Sequence, residues 1–151
     1  KLFLDDGKRE DIRDMFTRER VENSLYPGVE ELYRRVLPPD IYKMMITRNI
    51  IEIGRPFGDF LGFHEVIPEI FDKEKITEEF VNKHPYFTRY LVIGDSREDE
   101  VILDVLEYSR RNRKIEYSIS CCRSNHKNNG IEKFDVKFGR DYRGLVGILR
   151  N

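Results

Sequence analysis

The chain has no alanine, no glutamine, no tryptophan and only two cysteines among its 151 residues. Two cysteines build no disulfide framework, and Cys121 and Cys122 are adjacent, a spacing at which they rarely bridge each other. The expectation is a reduced, cytoplasmic protein in which "CC" is structural filling. No apolar run approaches the roughly 20 residues that span a bilayer, so no membrane partner is expected. The opening residues, from Lys1, show no secretory leader. The net charge is -1, with 27 basic against 28 acidic side chains. That leaves no overall basic field to gather nucleic acid, which is not expected as a partner. His64, His84 and His126 lack ligand spacing such as i and i+4, which argues against zinc.

Charge is plentiful: 36% of residues are Asp, Glu, Lys or Arg, against an average of roughly 25%. Lysine, arginine and glutamate in quantity without glutamine fit a heat-adapted source, where ion-pair networks help most. Biased codon usage accounts for the same composition. With 39% hydrophobic residues, the length supports a single domain with a real core.

Strand and helix patterns alternate along the chain. "KLFL" (1–4) reads as a strand running into Asp5-Asp6-Gly7. "REDIRDMFTRERVEN" is charged and helical in part. In "YPGVEELYRRVLPPD", Val29, Leu32, Tyr33, Val36 and Leu37 keep helical spacing, and Pro38-Pro39 stops them. "IYKMMITRN" predicts a strand over Tyr42–Ile46, and "HEVIPEI" a short one. "KITEEFVNKH" predicts a helix ending before Pro85. "YLVIGD" is a strand, and "REDEVILDVLEYSRRN" the clearest helix, with Val101, Ile102, Val105 and Leu106 on one face. "KIEYSISCC" and "KFDVKF" read as strands, "RSNHKNNG" as a surface loop, and "DYRGLVGILRN" as the last helix. Such alternation predicts an α/β fold: a parallel sheet with helices on both faces, in three layers. Ligands in these folds sit at the carboxyl ends of the strands. Asp5-Asp6, Thr47 and Asp95 are each at such an end.

"YLVIGDSREDE" (90–100) drives an apolar strand into four acids: Asp95, Glu98, Asp99 and Glu100. Clustered carboxylates repel unless a cation or proton sits among them. A metal site is one solution. A solvated helix start is another, with Ser96 as N-cap and Glu98 and Asp99 favoured by the helix dipole. "RRNRK" (110–114) has two readings as well: a nucleic-acid contact, or basic residues suited to a helix carboxyl end, the latter preferred.

In this order the motifs resemble those of the haloacid-dehalogenase-like superfamily of aspartyl-phosphate hydrolases. That family has a strand ending in D-x-D (here "LFLDDG"), then a strand ending in Thr or Ser ("MMIT", ending at Thr47). A lysine near the start of a helix follows (Lys75 in "DKEKITEEF", with Lys73 as rival), then a strand leading into G-D-x-x-x-D ("LVIGDSRED"). The resemblance implies a Rossmann-like three-layer core and magnesium-dependent hydrolysis of a phosphate monoester. Asp5 would be the nucleophile that forms an acyl phosphate, and Asp6 the acid and base. Thr47 and Lys75 would hold phosphoryl oxygens, with Arg48, Asn49 and Arg97 reaching substrate. Asp5, Asp95 and Asp99 would hold magnesium.

One departure is plain: no residue separates the two aspartates, so Gly7 stands where the family's acid/base would be if Asp5 is the nucleophile. A catalytically impaired module that binds a phosphorylated ligand or a partner protein is the alternative. A receiver-type signalling domain is disfavoured, because its acceptor Asp would end a middle strand and here that strand ends in Thr47. Neither the stretch after Asp6 nor that after Thr47 is long enough for a full cap domain. A capless member implies an open site, a small or macromolecular phosphorylated substrate, and a homo-oligomer as a plausible assembly.

Overall fold

Helices and short parallel strands alternate along the chain in the computed structural model, which describes residues 5–124 and 133–151. The predicted strand over "KLFL" and most of the "RSNHKNNG" loop lie outside the described residues. The chain divides into two compact units, one through Phe71 and the other from Asp72 to Leu149. Each carries its own parallel ladder.

The first unit opens with α1 (Asp6–Met15) and α2 (Arg18–Ser24), capped by the side chains of Asp5 and Thr17. α3 (Val29–Glu31) runs straight into a π-helical turn over Leu32–Val36 and stops before Pro38. The predicted apolar face is used: Val29 and Leu32 are buried, with Val21, Leu37 and Leu61 also in the core of this unit. Burying each such leucine contributes about 1.5–3 kcal/mol. β1 (Met44–Ile46) pairs in parallel with β2 (Glu65–Ile67), Met45 beside Val66. Between them runs α4 (Ile51–Leu61), which no sequence signal announces. Gly54, Pro56 and Gly58 interrupt its pattern, and Pro56 brings no N–H to the helix. The glycines are needed for packing. A methyl group at Gly54 would press on Val66 and Thr47, and one at Gly58 would run into Val66 Cγ2.

The second unit contains α5 (Lys73–Lys83), β3 (Arg89–Gly94), α6 (Glu100–Arg111), β4 (Tyr117–Cys122), β5 (Val136–Lys137) and α7 (Arg143–Arg150), the last closing the chain. The strands pair in the order β3-β4-β5, all parallel, with Gly94 beside Cys122. Val81, Leu106 and Ile115 form one buried cluster, with Tyr90, Val92 and Ile102 packed on it. Cys122 and Phe134 form a second, against Val92 and Leu103. Ser120 donates from its N–H and Oγ to Asp135 and accepts from the Asp135 N–H, tying β4 to the approach of β5. Among the described residues no helix is long and apolar enough to cross a membrane.

Candidate functional site

Asp5 is the N-cap of α1, its Oδ1 accepting the Lys8 N–H at 2.8 Å. The carboxylate is exposed and 4.0 Å from the Lys8 ammonium, a spacing that contributes little in water. Asp6, also exposed, opens the first turn of α1, where the helix dipole favours a carboxylate.

Thr47 follows β1 and is held by backbone on both sides. Its N–H donates to Ile67 O and its carbonyl accepts the Ile70 N–H, both at 3.0 Å. Its hydroxyl accepts the Asn49 N–H at 3.1 Å, and the Asn49 carbonyl accepts the Glu69 N–H at 3.0 Å. The loops after β1 and β2 are thus stitched together at the entrance to α4. Glu69 adopts a positive φ of 54°, strained for a residue with a side chain. Arg48 and Asn49 are exposed, and the Arg48 guanidinium lies over the Phe71 ring at 5.5 Å.

Sequence reasoning missed the group beside this loop. Arg9 reaches Glu52 at 3.2 Å and Glu69 at 3.5 Å. Glu52 is buried in the first turn of α4, so its charge needs the arginine. No spacing rule links residues so far apart in sequence. A lone glutamate in an apolar segment, "NIIEIG", is the one available hint.

In the second unit the strand end at Gly94 is built around Asp99. Asp99 is buried, and its Oδ2 accepts the N–H groups of Asp95 at 3.1 Å and Ser96 at 3.4 Å. Ser96 caps the 3-10 turn over Arg97–Asp99, and the two side chains form a reciprocal capping box. The other oxygen, Oδ1, accepts from Lys73 Nζ at 2.6 Å, with only 13% and 9% of the two side chains exposed. Gly94 has to be glycine, since a Cβ would sit 2.8 Å from Asp99 Oδ2 and 3.1 Å from Phe134 Cζ. Lys75 differs: its backbone N–H is capped by Asp72 at 3.0 Å and its side chain is exposed. Of the two rival lysines, Lys73 is the one joined to the "GDSRED" turn. Arg97 is exposed on that turn.

Asp5 and Thr47 therefore belong to the first unit, and Lys73, Asp95 and Asp99 to the second. Among the described residues no three carboxylate, imidazole or thiol side chains are gathered as metal ligands. Magnesium takes hard oxygen ligands, keeps several waters and often uses one or two carboxylates beside a phosphate. Asp95, exposed at the end of β3, fits that role. Asp99 does not fit as a direct ligand, because both its oxygens already face donors. Its fitted role is to hold the Asp95 turn and the Lys73 ammonium in place.

Behind the turn, Cys122 is buried beside Gly94. Burial, then the negative charges of Asp95 and Asp99, push its thiol up to about 11, from an ordinary 9.0. Burial and then Asp135 also raise Cys121. Neither thiol should react with iodoacetamide in the native protein at neutral pH, and labelling should follow unfolding. A neutral acid whose pKa is raised by folding stabilises the fold below its unfolded value. The Cys122 contribution should therefore be complete below pH 9 and disappear between about 9 and 11. Rapid labelling of the native protein would refute the assignment.

No model of a known protein family matches the chain, and neither does any curated protein.

Proposed function

We propose that the chain is a haloacid-dehalogenase-like phosphate-monoester hydrolase that uses magnesium, on a three-layer Rossmann-like core without a cap domain. The Lys73–Asp99 pair carries this reading. It joins a helix start to the turn after a strand, the two features that the resemblance assigns to one phosphoryl site. The lysine of that site is Lys73.

The Asp5 carboxylate attacks phosphorus, forming an acyl phosphate while the bond to the leaving oxygen breaks. Asp6 gives that oxygen its proton, then takes one from the water that attacks the same phosphorus and releases inorganic phosphate. By the resemblance, the Thr47 hydroxyl and the motif lysine would hold oxygens on which charge accumulates, with Arg48 and Asn49 reaching substrate. Asp95 would hold magnesium, which when bound neutralises charge on the phosphate. An open site suits a phosphate on a large substrate.

The test is p-nitrophenyl phosphate turnover with magnesium and with chelator. Wild-type protein should turn over only with magnesium. Asp5→Asn and Asp95→Asn should abolish measurable turnover, and Asp6→Asn should reduce it about a hundredfold or more. Turnover indifferent to Asp5→Asn and Asp95→Asn would overturn the reading.

A second reading has its own support: the Asp5 carboxylate is engaged as a helix cap, and Asp6 follows it without a spacer. A non-catalytic module that binds a phosphorylated ligand would bind phosphate in calorimetry and show no turnover on a broad phosphate panel.

A further inference from the structure

At the end of the second unit opposite Asp95, two segments far apart in sequence come together. α5 ends at Lys83 and leads to the start of β3 at Arg89, while α6 ends at Arg111 and leads to the start of β4 at Tyr117. Lys114 Nζ donates to Asn82 Oδ1 at 2.9 Å, and the N–H groups of Glu116 and Tyr117 donate to Thr88 O at 2.9 and 3.2 Å. Arg89 and Tyr117 are register neighbours on β3 and β4. The six-residue strand β3 separates this end from Asp95 by about 20 Å.

Residues 82–89 and 107–117 bring six basic side chains to this end and two acidic ones, Glu107 and Glu116. The bases are Lys83, Arg89, Arg110, Arg111, Arg113 and Lys114, all exposed. Glu107 pairs with Arg111 at 2.7 Å and Glu116 with Arg89 at 3.4 Å, which leaves a positive excess. The carboxyl ends of α5 and α6 offset roughly half a charge each, and the excess exceeds that. A dipole-matching role therefore does not account for the number of cations, nor for Arg89, which starts a strand.

Aromatic rings lie among these charges. Tyr86 is 71% exposed, Tyr108 64% and Tyr117 53%. Tyr86 is set against Phe87 with ring centroids 4.9 Å apart and His84 Nδ1 3.0 Å from its hydroxyl, so the ring is positioned while its surface stays open. Exposed rings among cations match the two needs of a nucleic-acid strand, neutralisation of phosphates and stacking of bases. An acidic peptide would use the cations and leave the rings in water.

We propose that this end of the second unit binds single-stranded nucleic acid, with Arg110, Arg113 and Lys83 on phosphates and Tyr86 and Tyr117 stacking on bases. The net charge of -1 hides the patch, because the acids are spread elsewhere along the chain. The assignment is independent of phosphatase activity.

Fluorescence anisotropy with the full chain and a labelled oligothymidylate of about 16 nucleotides tests it. Binding should weaken steeply with salt, log K falling by about 0.7 per neutralised phosphate for each tenfold rise in salt. Arg110→Ser/Arg113→Ser should weaken it about tenfold or more. Tyr86→Leu, which keeps apolar bulk but no ring, should weaken it about fivefold or more. Asp95→Asn should leave it within about twofold, with phosphate contacts confined to the other end of the strands. Absence of binding at low salt would overturn the proposal. Binding lost in Asp95→Asn but not in the arginine variant would also overturn it. So would equal competition by polyglutamate together with an unchanged Tyr86→Leu, which would mark a surface for acidic proteins. Circular dichroism of each variant separates loss of binding from loss of fold.

Discussion

Lys73→Met is expected to lower the unfolding free energy by about 3 kcal/mol, because it leaves a buried carboxylate without its cation. Asp99 keeps the two N–H donors on Oδ2, but Oδ1 loses the ammonium at 2.6 Å in a site shielded from water. The methionine fills much of the same volume, so the loss is electrostatic rather than a cavity. Lys75→Met removes the same charge two residues away from an exposed side chain and should cost under about 0.5 kcal/mol. Urea denaturation with an unchanged slope reads the difference directly. For a chain of this size Tm should fall by roughly 6–12 °C in the first variant. Asp99→Asn keeps an acceptor for the N–H groups. Its effect should combine with Lys73→Met less than additively, by about 1–3 kcal/mol. Equal costs at Lys73 and Lys75 would remove the pair from its central place in the site.

Gly58→Ala is expected to destabilise the first unit by about 2 kcal/mol, although alanine is the better helix former. By propensity alone, the change in the middle of α4 should gain about 1 kcal/mol. The added methyl, however, runs into Val66 Cγ2 on β2, and valine is too stiff at χ1 to turn aside. Val66→Ala removes the obstacle. In that background Gly58→Ala should be neutral or stabilising by up to about 1 kcal/mol. A reversal of sign between the two backgrounds, measured by denaturant midpoint, is the decisive result. The same cost in both would mean that the glycine is needed for some reason other than its approach to Val66.

How much was legible from sequence varied with the distance over which each feature is decided. "YLVIGD" and "KIEYSISCC" are recognisable as strands from short runs rich in apolar and aromatic residues, and β3 and β4 lie there. The periodicity of Val101, Ile102, Val105 and Leu106 marks α6, and Val105 and Leu106 are indeed buried. The capping of "GDSRED" is local chemistry: Ser96 is the N-cap that the plainer reading expects, while Asp99, expected at a solvated helix start, is buried against Lys73. α4 is different. Two glycines and a proline argue against a helix, and close packing against Val66 of β2 and against Thr47 overrides them.

The sequence by itself determined what depends on near neighbours: alternating helices and parallel strands, the capped acidic turn, and the chemical types at the strand ends. Tertiary structure decided what depends on distant ones. It brought the Lys73 ammonium, and not that of Lys75, to Asp99, because residues two apart on a helix do not share a face. It buried Glu52 against Arg9, a partner 43 residues away. It divided the strands into two parallel ladders where the alternation of strand and helix patterns had suggested one parallel sheet. It also gathered six cations and three exposed tyrosines at one end of a unit, in a chain whose net charge is close to zero. Local patterning acts through backbone preference and the periodicity of apolar residues, which a sequence displays. Charge pairing and close packing act through space, and only the folded chain sets which groups come within reach.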